Sequence, residues 1–412
     1  MSQDKLRIGW ICHFSNSEIR NELPLLDNNK YQEYAPWIWN TINCISKDDK
    51  LDLHIIAPHV GLKKLIFDCR YKNVVYHFWK SDIPLIQKRL WKIPVLLRYP
   101  FCDPFIINKL LVRLIVSRIN PDIINLQGAE NDYYSSTIMQ FRKKYPVLIT
   151  IQGFISHSIL ADNPIYRSKI ETELKILMTF RHFGIRTKTM GNDIMIYNSN
   201  AVLHWQRYFI PIIHSSEELK EYDIVFFARF CKDKGIEDLL QAILIVKKKI
   251  PEVSLCVIGS GSQDYISQLK SLALSLDIDK NINWVGFLTF QKDVHAMVSK
   301  AKISVLPTYH DIIPGTIIES MQLGLPVVSY RVGSIPELND VQENVLLVEK
   351  GDIQGLAREI IRLLTDESFA KEMSRRGNEC MRRKYSNIDI LGEHLSCYRE
   401  VIADYQKHSK SI

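Results

Sequence analysis

Few residues in this 412-residue chain are of the kinds that staple or anchor a protein. Its eight cysteines, at 12, 44, 69, 102, 231, 256, 380 and 397, include no C-x-x-C pair, and none stands with histidine at zinc spacing. That argues against a zinc module and a disulfide framework. Several lie in apolar runs such as Trp10 to Phe14 and Leu255 to Ile258, where a free thiol behaves as a small buried hydrophobe in a reducing cytosol. No run reaches the roughly 18 uncharged apolar residues that a membrane-spanning helix needs. The start, MSQDKLRIGW, lacks a basic region followed by an apolar signal core. The chain is expected to be neither exported nor membrane-spanning, and to work in the cytoplasm. Short repeats and low-complexity tracts are missing as well.

What is present is a hydrophobic content of 46% with 24% charged residues, the balance of a soluble globular protein. The length suits two domains of about 200 residues, each able to bury its own core. The formal net charge of +7 is uneven, because residues 60–120 hold twelve Lys or Arg against three Asp. Within 85–118, Lys88, Arg89, Lys92, Arg98, Lys109, Arg113 and Arg118 mix with Trp91 and the apolar run Val95 to Leu97. Cations toward lipid headgroups and aromatics at the boundary suit a segment that docks peripherally on the inner face of an anionic membrane. Each cation there contributes on the order of 1 kcal/mol. A helix with ordinary solvated Lys and Arg is the competing reading. Nucleic acid is not expected as a partner, since no nucleic-acid module pattern occurs and half the block is apolar.

Apolar runs of strand length alternate with helical patterns, which predicts an α/β fold with parallel sheets. In the first half, strands are expected at Leu6 to Phe14, Leu51 to Pro58, Val74 to Trp79, Asp122 to Gln127 and Val147 to Gln152. Helices are expected over Tyr31 to Ile45 and Ile165 to Phe183, and Asp193 to Tyr197 reads as the last strand of this half. The polar stretch Pro211 to Glu221 is the expected boundary, dividing a domain of residues 1–210 from one of 222–387. In the second half, strands are expected at Ile224 to Phe230, Ser254 to Ile258, Ile282 to Val285, Ile303 to Leu306, Val327 to Ser329 and Val345 to Val348.

Chemistry concentrates in two stretches. In ISVLPTYHDIIPGTIIESMQLGLPVVSY, residues 303–330, a strand leads through a polar loop into a helix entered at Pro314, Gly315 and Thr316. Proline fits a first turn, glycine lets backbone approach a ligand, and threonine can cap. Such a helix mouth offers N–H groups to an anion at the carboxyl end of a parallel strand. Asp311 and Glu319 are the acidic side chains between the two strands. They can face a ligand lying across the mouth, or be a solvated loop Asp and a surface Glu. In FFARFCKDKGIEDLLQA, residues 226–242, a strand runs to Arg229, a loop carries Lys234, and Gly235 opens a helix. VIGSGSQD, residues 257–264, lacks the third glycine of a dinucleotide fingerprint. Asp277-Ile278-Asp279 follows a helix and precedes Lys280 and Asn281, so it reads as a solvated turn.

DIIPGTIIESMQLGLPVVS resembles the E-G-x-P-x4-E-A-x3-G-x-P-V-V signature of family 4 retaining glycosyltransferases, matching at Pro314, Glu319, Gly324, Pro326, Val327 and Val328. Asp311 stands for the first Glu of the signature and Ile312 for its Gly. The stretch from Ala228 to Gly235 resembles the family's G-R-x4-K-G pattern. The resemblance implies a GT-B fold, two doubly wound Rossmann-like domains facing across a cleft, with a last helix at about 388–406 that packs back on the first. It implies Arg229 and Lys234 on the diphosphate of a nucleotide-sugar donor, Asp311 and the amides after Pro314 on the sugar, and Glu319 on the ribose. Gly259, and Gly286 with Phe287 in WVGF, would lie beside the nucleotide with Gly315 and Thr316. Fixed cations suit this chemistry because negative charge develops on the leaving diphosphate; no obligatory metal or other cofactor is expected. The acceptor side would involve Ser15 and Asn16, where relatives have Gly-Gly, Gln152 where many have His, and Gly153 and His157. The implied reaction moves a sugar, with retention, to a hydroxyl of a glycan or lipid-linked glycan in bacterial surface polysaccharide synthesis. A non-catalytic partner subunit and a sugar-nucleotide epimerase are the alternatives left open.

Overall fold

The computed structural model describes residues 5–14, 19, 22–24, 35–81, 103–157, 161–213, 219–386 and 388–409. The chain divides into two compact units, Met1–Ile210 with Asp389–Ile412, and Pro211–Ile388.

The first unit is built on eight strands, β1 (Leu6–Cys12), β2 (Leu51–His59), β3 (Ile66–Tyr71), β4 (Val74–Lys80), β5 (Ile123–Gln127), β6 (Val147–Thr150), β7 (His182–Ile185) and β8 (Val202–Trp205), in the order β3-β4-β2-β1-β5-β6-β7-β8. All neighbours are parallel except β3, which runs antiparallel on β4. All five residues of β5 are buried, as in a central strand covered on both faces. The helix Ile390–Ser409 buries Tyr398 completely, and the tyrosine hydroxyl accepts from Trp10 Nε1 (2.9 Å), Asn125 Nδ2 (3.2 Å) and Gln206 Nε2 (3.3 Å). A polar layer thus ties that helix to β1, β5 and the residue after β8.

Two expectations in this unit fail. Asp193 to Tyr197 is not a strand; it closes the helix Lys188–Tyr197, capped by Thr187, whose hydroxyl accepts from Met190 N at 3.1 Å. Met190, Gly191 and Ile194 are buried while Met195 and Ile196 are exposed, a helical period rather than strand alternation. The pattern over Ile165 to Phe183 holds a helix only to Thr179, after which β7 begins. The edge strand β3, IFDCRY, with its alternating exposure, lies in a stretch without an expected element. Of the helix expected over Tyr31 to Ile45, Pro36–Ile45 is helical and residues 31–34 lie outside the described residues.

The second unit has six parallel strands, β9 (Tyr222–Phe227), β10 (Leu255–Ile258), β11 (Ile282–Gly286), β12 (Ala301–Leu306), β13 (Val327–Tyr330) and β14 (Leu346–Val348), in the order β11-β10-β9-β12-β13-β14. This is the doubly wound order, in which chain direction across the sheet reverses between β9 and β12. Three helices of this unit begin with side-chain caps. Ser262 accepts from Tyr265 N (3.3 Å), Asp352 from Gly355 N (2.8 Å) and Asp366 from Phe369 N (2.9 Å). Cys256, buried in β10, is held up to about 12 by burial, so this thiol is inert at neutral pH.

Candidate functional site

The carboxyl ends of β9 and β12 flank the reversal point of the second sheet, and the two chemical stretches meet there. After β9, Arg229 is exposed, Lys232–Lys234 form one 3-10 turn, and Gly235 starts the helix Ile236–Lys247. Gly235 has φ +67°, and a Cβ there would lie 1.9 Å from the Pro307 carbonyl oxygen, so only glycine fits. After β12, Tyr309 N and Thr308 Oγ1 donate to the Asp233 carbonyl at 2.7 and 2.9 Å, locking the two loops together. Lys234 Nζ then pairs directly with Asp311 Oδ2, with both side chains mostly buried. Beneath them Asp238 accepts from the hydroxyls of Tyr309 and Tyr330, each at 2.6 Å. Burial and that carboxylate push the Tyr309 phenol up to about 12, keeping it a donor.

Pro314 is the N-cap of the helix Gly315–Gln322. Thr316 does not cap it, as the sequence suggested; its Oγ1 is buried with no partner among the described residues. Glu319 sits one turn in and reaches across to the helix Gln291–Ser299, accepting from Gln291 Nε2 at 3.0 Å and lying 3.3 Å from His295 Nε2. A Cβ on Gly315 would be 3.7 Å from Glu319 Oε1, so this carboxylate lies over the helix mouth. On the other side of β9, Gly259 (φ +147°) comes so close to β9 that a Cβ would lie 1.9 Å from the Ala228 carbonyl. Its N–H donates to the Gly286 carbonyl at 2.9 Å. Phe287 and Phe290 follow β11 with their rings exposed, 63% and 56%. Sequence reasoning missed Gln291, His295 and Phe290, which lie in neither chemical stretch, and Asp238, Tyr309 and Tyr330, which lie within the two stretches but meet only through the fold.

In the first unit Ser15 and Asn16 lie outside the described residues. The Gln152 carbonyl accepts from Arg186 Nη2 at 2.5 Å, whereas its own Nε2 is buried without a partner among the described residues. Leaving such a donor unpaired costs about 1–3 kcal/mol. Next to it, a Cβ on Gly153 would meet nothing within 4 Å among the described residues. His157 is exposed at the end of the 3-10 turn Ile155–His157, with Nδ1 3.9 Å from Asp193 Oδ2. Glu173 fixes that turn, accepting from Ile155 N (2.8 Å) and Ser156 Oγ (2.6 Å).

Of the basic segment, Lys88, Arg89, Trp91, Lys92, Arg98 and Val95 to Leu97 lie outside the described residues. The helix Ile106–Ile119 buries Leu111, Val112, Ile115, Val116 and Ile119 on one side. Lys109 pairs with Asp103, and Arg118 with Asp68 at 3.2 Å. Ile106, Leu110 and Leu114, spaced four apart, form an exposed apolar stripe. Asp277 stands in a turn after the helix Gln263–Ser275, its side chain 93% exposed. Among the described residues no group of three or more His, Cys, Asp or Glu side chains is arranged to hold a metal ion. No helix among them is long and apolar enough to cross a membrane.

Comparison with known proteins adds to this geometry. Residues 211–379 match the family described as Glycosyl transferases group 1. The chain is 25% identical over 192 residues to the N-acetyl-alpha-D-glucosaminyl L-malate synthase of Bacillus anthracis, covering 45% of this chain and 49% of that one. It therefore spans about half the length of several curated relatives it matches. With the capsular polysaccharide biosynthesis glycosyltransferase CapM of Staphylococcus aureus it shares 29% identity over 375 residues, 86% of this chain and 91% of that one. Among solved structures, the sucrose-phosphate synthase from Thermosynechococcus elongatus superposes with a TM-score of 0.76 at 15% identity, covering 97% of this chain and 100% of that one. The fold of the chain is therefore GT-B, two Rossmann-like α/β domains, and the group 1 glycosyl transferase match falls in its second unit.

Proposed function

We propose that the protein is a retaining glycosyltransferase of family 4 type, moving a sugar from a nucleoside diphosphate donor to a hydroxyl of a glycan or lipid-linked glycan in surface polysaccharide synthesis. The observation that carries this reading is the meeting of Lys234 and Asp311 at the reversal point of the second sheet, inside the residues that match the glycosyl transferase family. In the proposed reaction the bond from the anomeric carbon to the diphosphate oxygen breaks. Arg229 and Lys234 stabilise the charge on the departing diphosphate, and Asp311 orients the sugar beside Lys234. The amides that open the helix Gly315–Gln322 add donors toward the same anion. Glu319, anchored by Gln291 and lying beside His295, takes the ribose hydroxyls. The acceptor hydroxyl attacks from the face the diphosphate leaves, and a diphosphate oxygen receives its proton, so no protein nucleophile is invoked.

The exposed stripe Ile106, Leu110 and Leu114, on a helix that also carries Arg113, supports peripheral contact with an anionic membrane that bears the acceptor. The relatives' roles in capsule and lipopolysaccharide core synthesis support the same setting. The test is turnover. Incubation with nucleotide sugars and lipid-linked glycan should release nucleoside diphosphate and give a product whose anomeric configuration matches the donor. Nucleotide binding with no turnover on any acceptor would instead support a non-catalytic subunit, and an altered sugar released from donor alone an epimerase.

A further inference from the structure

Side-chain alternation marks one row at the carboxyl edge of the first unit's sheet. A Cβ at Gly184 of β7 would lie 2.4 Å from Gln206 Oε1 and 3.0 Å from Thr150 Oγ1, and Thr150 Oγ1 donates to Asn125 Oδ1 at 2.9 Å. Asn125, Thr150, Gly184 and Gln206 therefore share a face. Two residues further along each segment stand Gln127, Gln152, Arg186 and Tyr208. Contacts agree with this placement: the Arg186 guanidinium lies 4.4 Å from the Tyr208 ring centroid and donates to the Gln152 carbonyl. Glu130, in the loop after β5, closes over Gly128, where a Cβ would lie 2.7 Å from Glu130 Oε2.

These residues share a second property. Gln127 Oε1 and Nε2, Glu130 Oε2, Gln152 Nε2 and Arg186 Nε are all buried, and none has a hydrogen-bond partner among the described residues. Gln127 is 0% exposed. Buried polar atoms are nearly always paired, so five such atoms around one sheet edge call for partners from outside the described residues. The set mixes acceptors (Glu130, Gln127 Oε1) with donors (Gln127 Nε2, Gln152 Nε2, Arg186 Nε). Hydroxyl groups, which donate and accept at once, satisfy such a mixture. An anion does not: Glu130 feels both the one cation, Arg186, and a second carboxylate, Glu173, so phosphate or carboxylate would face two carboxyl groups.

We propose that Gln127, Glu130, Gln152 and Arg186 form a binding site in the first unit for an uncharged sugar unit, read through adjacent hydroxyls. Its role as the acceptor's subsite rests on the transferase reading above; the binding site does not. Burial and Glu173 raise the Glu130 carboxyl to about 7 against the pull of Arg186, with Tyr134 and Tyr208 also facing it. Its capacity to accept two hydroxyl protons, and sugar affinity with it, falls as the solution is acidified below pH 7.

The test is titration calorimetry on the full chain with uncharged methyl glycosides of glucose, galactose, mannose, rhamnose and N-acetylglucosamine, beside glucose 6-phosphate and glucuronate. At least one methyl glycoside should bind, more tightly than either anion, and its Kd should rise tenfold or more in Glu130→Gln and in Arg186→Gln. Gln152→Ala, a milder change, should raise it severalfold and serves if either of those variants fails to fold. Binding of no methyl glycoside, tighter binding of an anion, or unchanged affinity in folded variants overturns the proposal. A nucleoside diphosphate titration in parallel separates the two readings. Glycoside binding without nucleotide binding removes the transferase but leaves this site, and the converse removes this site alone.

Discussion

Lys234 and Asp311 are 77 positions apart and share one hydrogen bond, which makes each the other's first electrostatic neighbour at the proposed site. Lys234→Ala removes a cation from the leaving group and leaves Asp311 repelling the diphosphate. Turnover should fall by about a hundredfold or more, read as kcat/KM with a nucleotide-sugar donor. Glu319→Ala should act differently. A carboxylate that grips the ribose equally in ground and transition states lowers KM only, so donor KM should rise roughly tenfold with kcat little changed. A loss confined to kcat would contradict that assignment. These residues were legible because each lies in a short stretch whose neighbours define its setting. Gln291, which holds Glu319, and His295 beside it were not: they lie on another helix, and only the fold brings them near. Gln127, Glu130 and Arg186 escaped for the same reason, being single polar residues at and just beyond the ends of two strands, β5 and β7.

Among elements, the loop from β9 into the helix Ile236–Lys247 carries the most constraint. Gly235→Ala would hold alanine at φ +67° and drive its Cβ into the Pro307 carbonyl. The left-handed conformation alone costs about 1–3 kcal/mol, and the clash must also displace the β12 loop that bears Asp311. Calorimetric melting of this variant should show the second unit destabilised by at least that amount, with donor binding weakened as well. Melting like wild type would contradict the packing. Strands of the second sheet were legible because parallel strands buried on both faces read as continuous apolar runs between turn residues. The same rule misled at Asp193 to Tyr197, where DIMIY is as apolar as a strand but belongs to a helix started by the Thr187 cap. Short apolar runs do not reveal their period. The edge strand β3, polar at alternate positions, offered no run at all.

At the scale of the whole molecule, ionisation distinguishes the two units. Six histidines of the first unit, His13, His54, His77, His182, His204 and His394, are held below their ordinary range by burial, His13 and His394 to about 4. Each binds a proton more readily unfolded than folded. Their effect is absent above pH 6.5, and stability is lost as the pH falls from there toward 4. Scanning calorimetry between pH 7 and 5 should show the first unit's transition moving down, and His394→Gln should lessen the shift; a transition insensitive to pH would contradict the burial. The proposed division of labour between the units was only partly legible, because the donor chemistry proposed for the second unit rests on strand-end motifs while the first unit's polar row emerges from packing. The central claim is that Arg229 and Lys234 hold a nucleoside diphosphate sugar, and thermal shift tests it most directly, on wild type and on an Arg229→Ala, Lys234→Ala double variant. Donor at a hundred times its Kd adds about 2.7 kcal/mol to the folded state. The account predicts a rise of several degrees for one nucleotide sugar in wild type and none in the variant. Equal shifts in both proteins, or no shift with any donor, would contradict it.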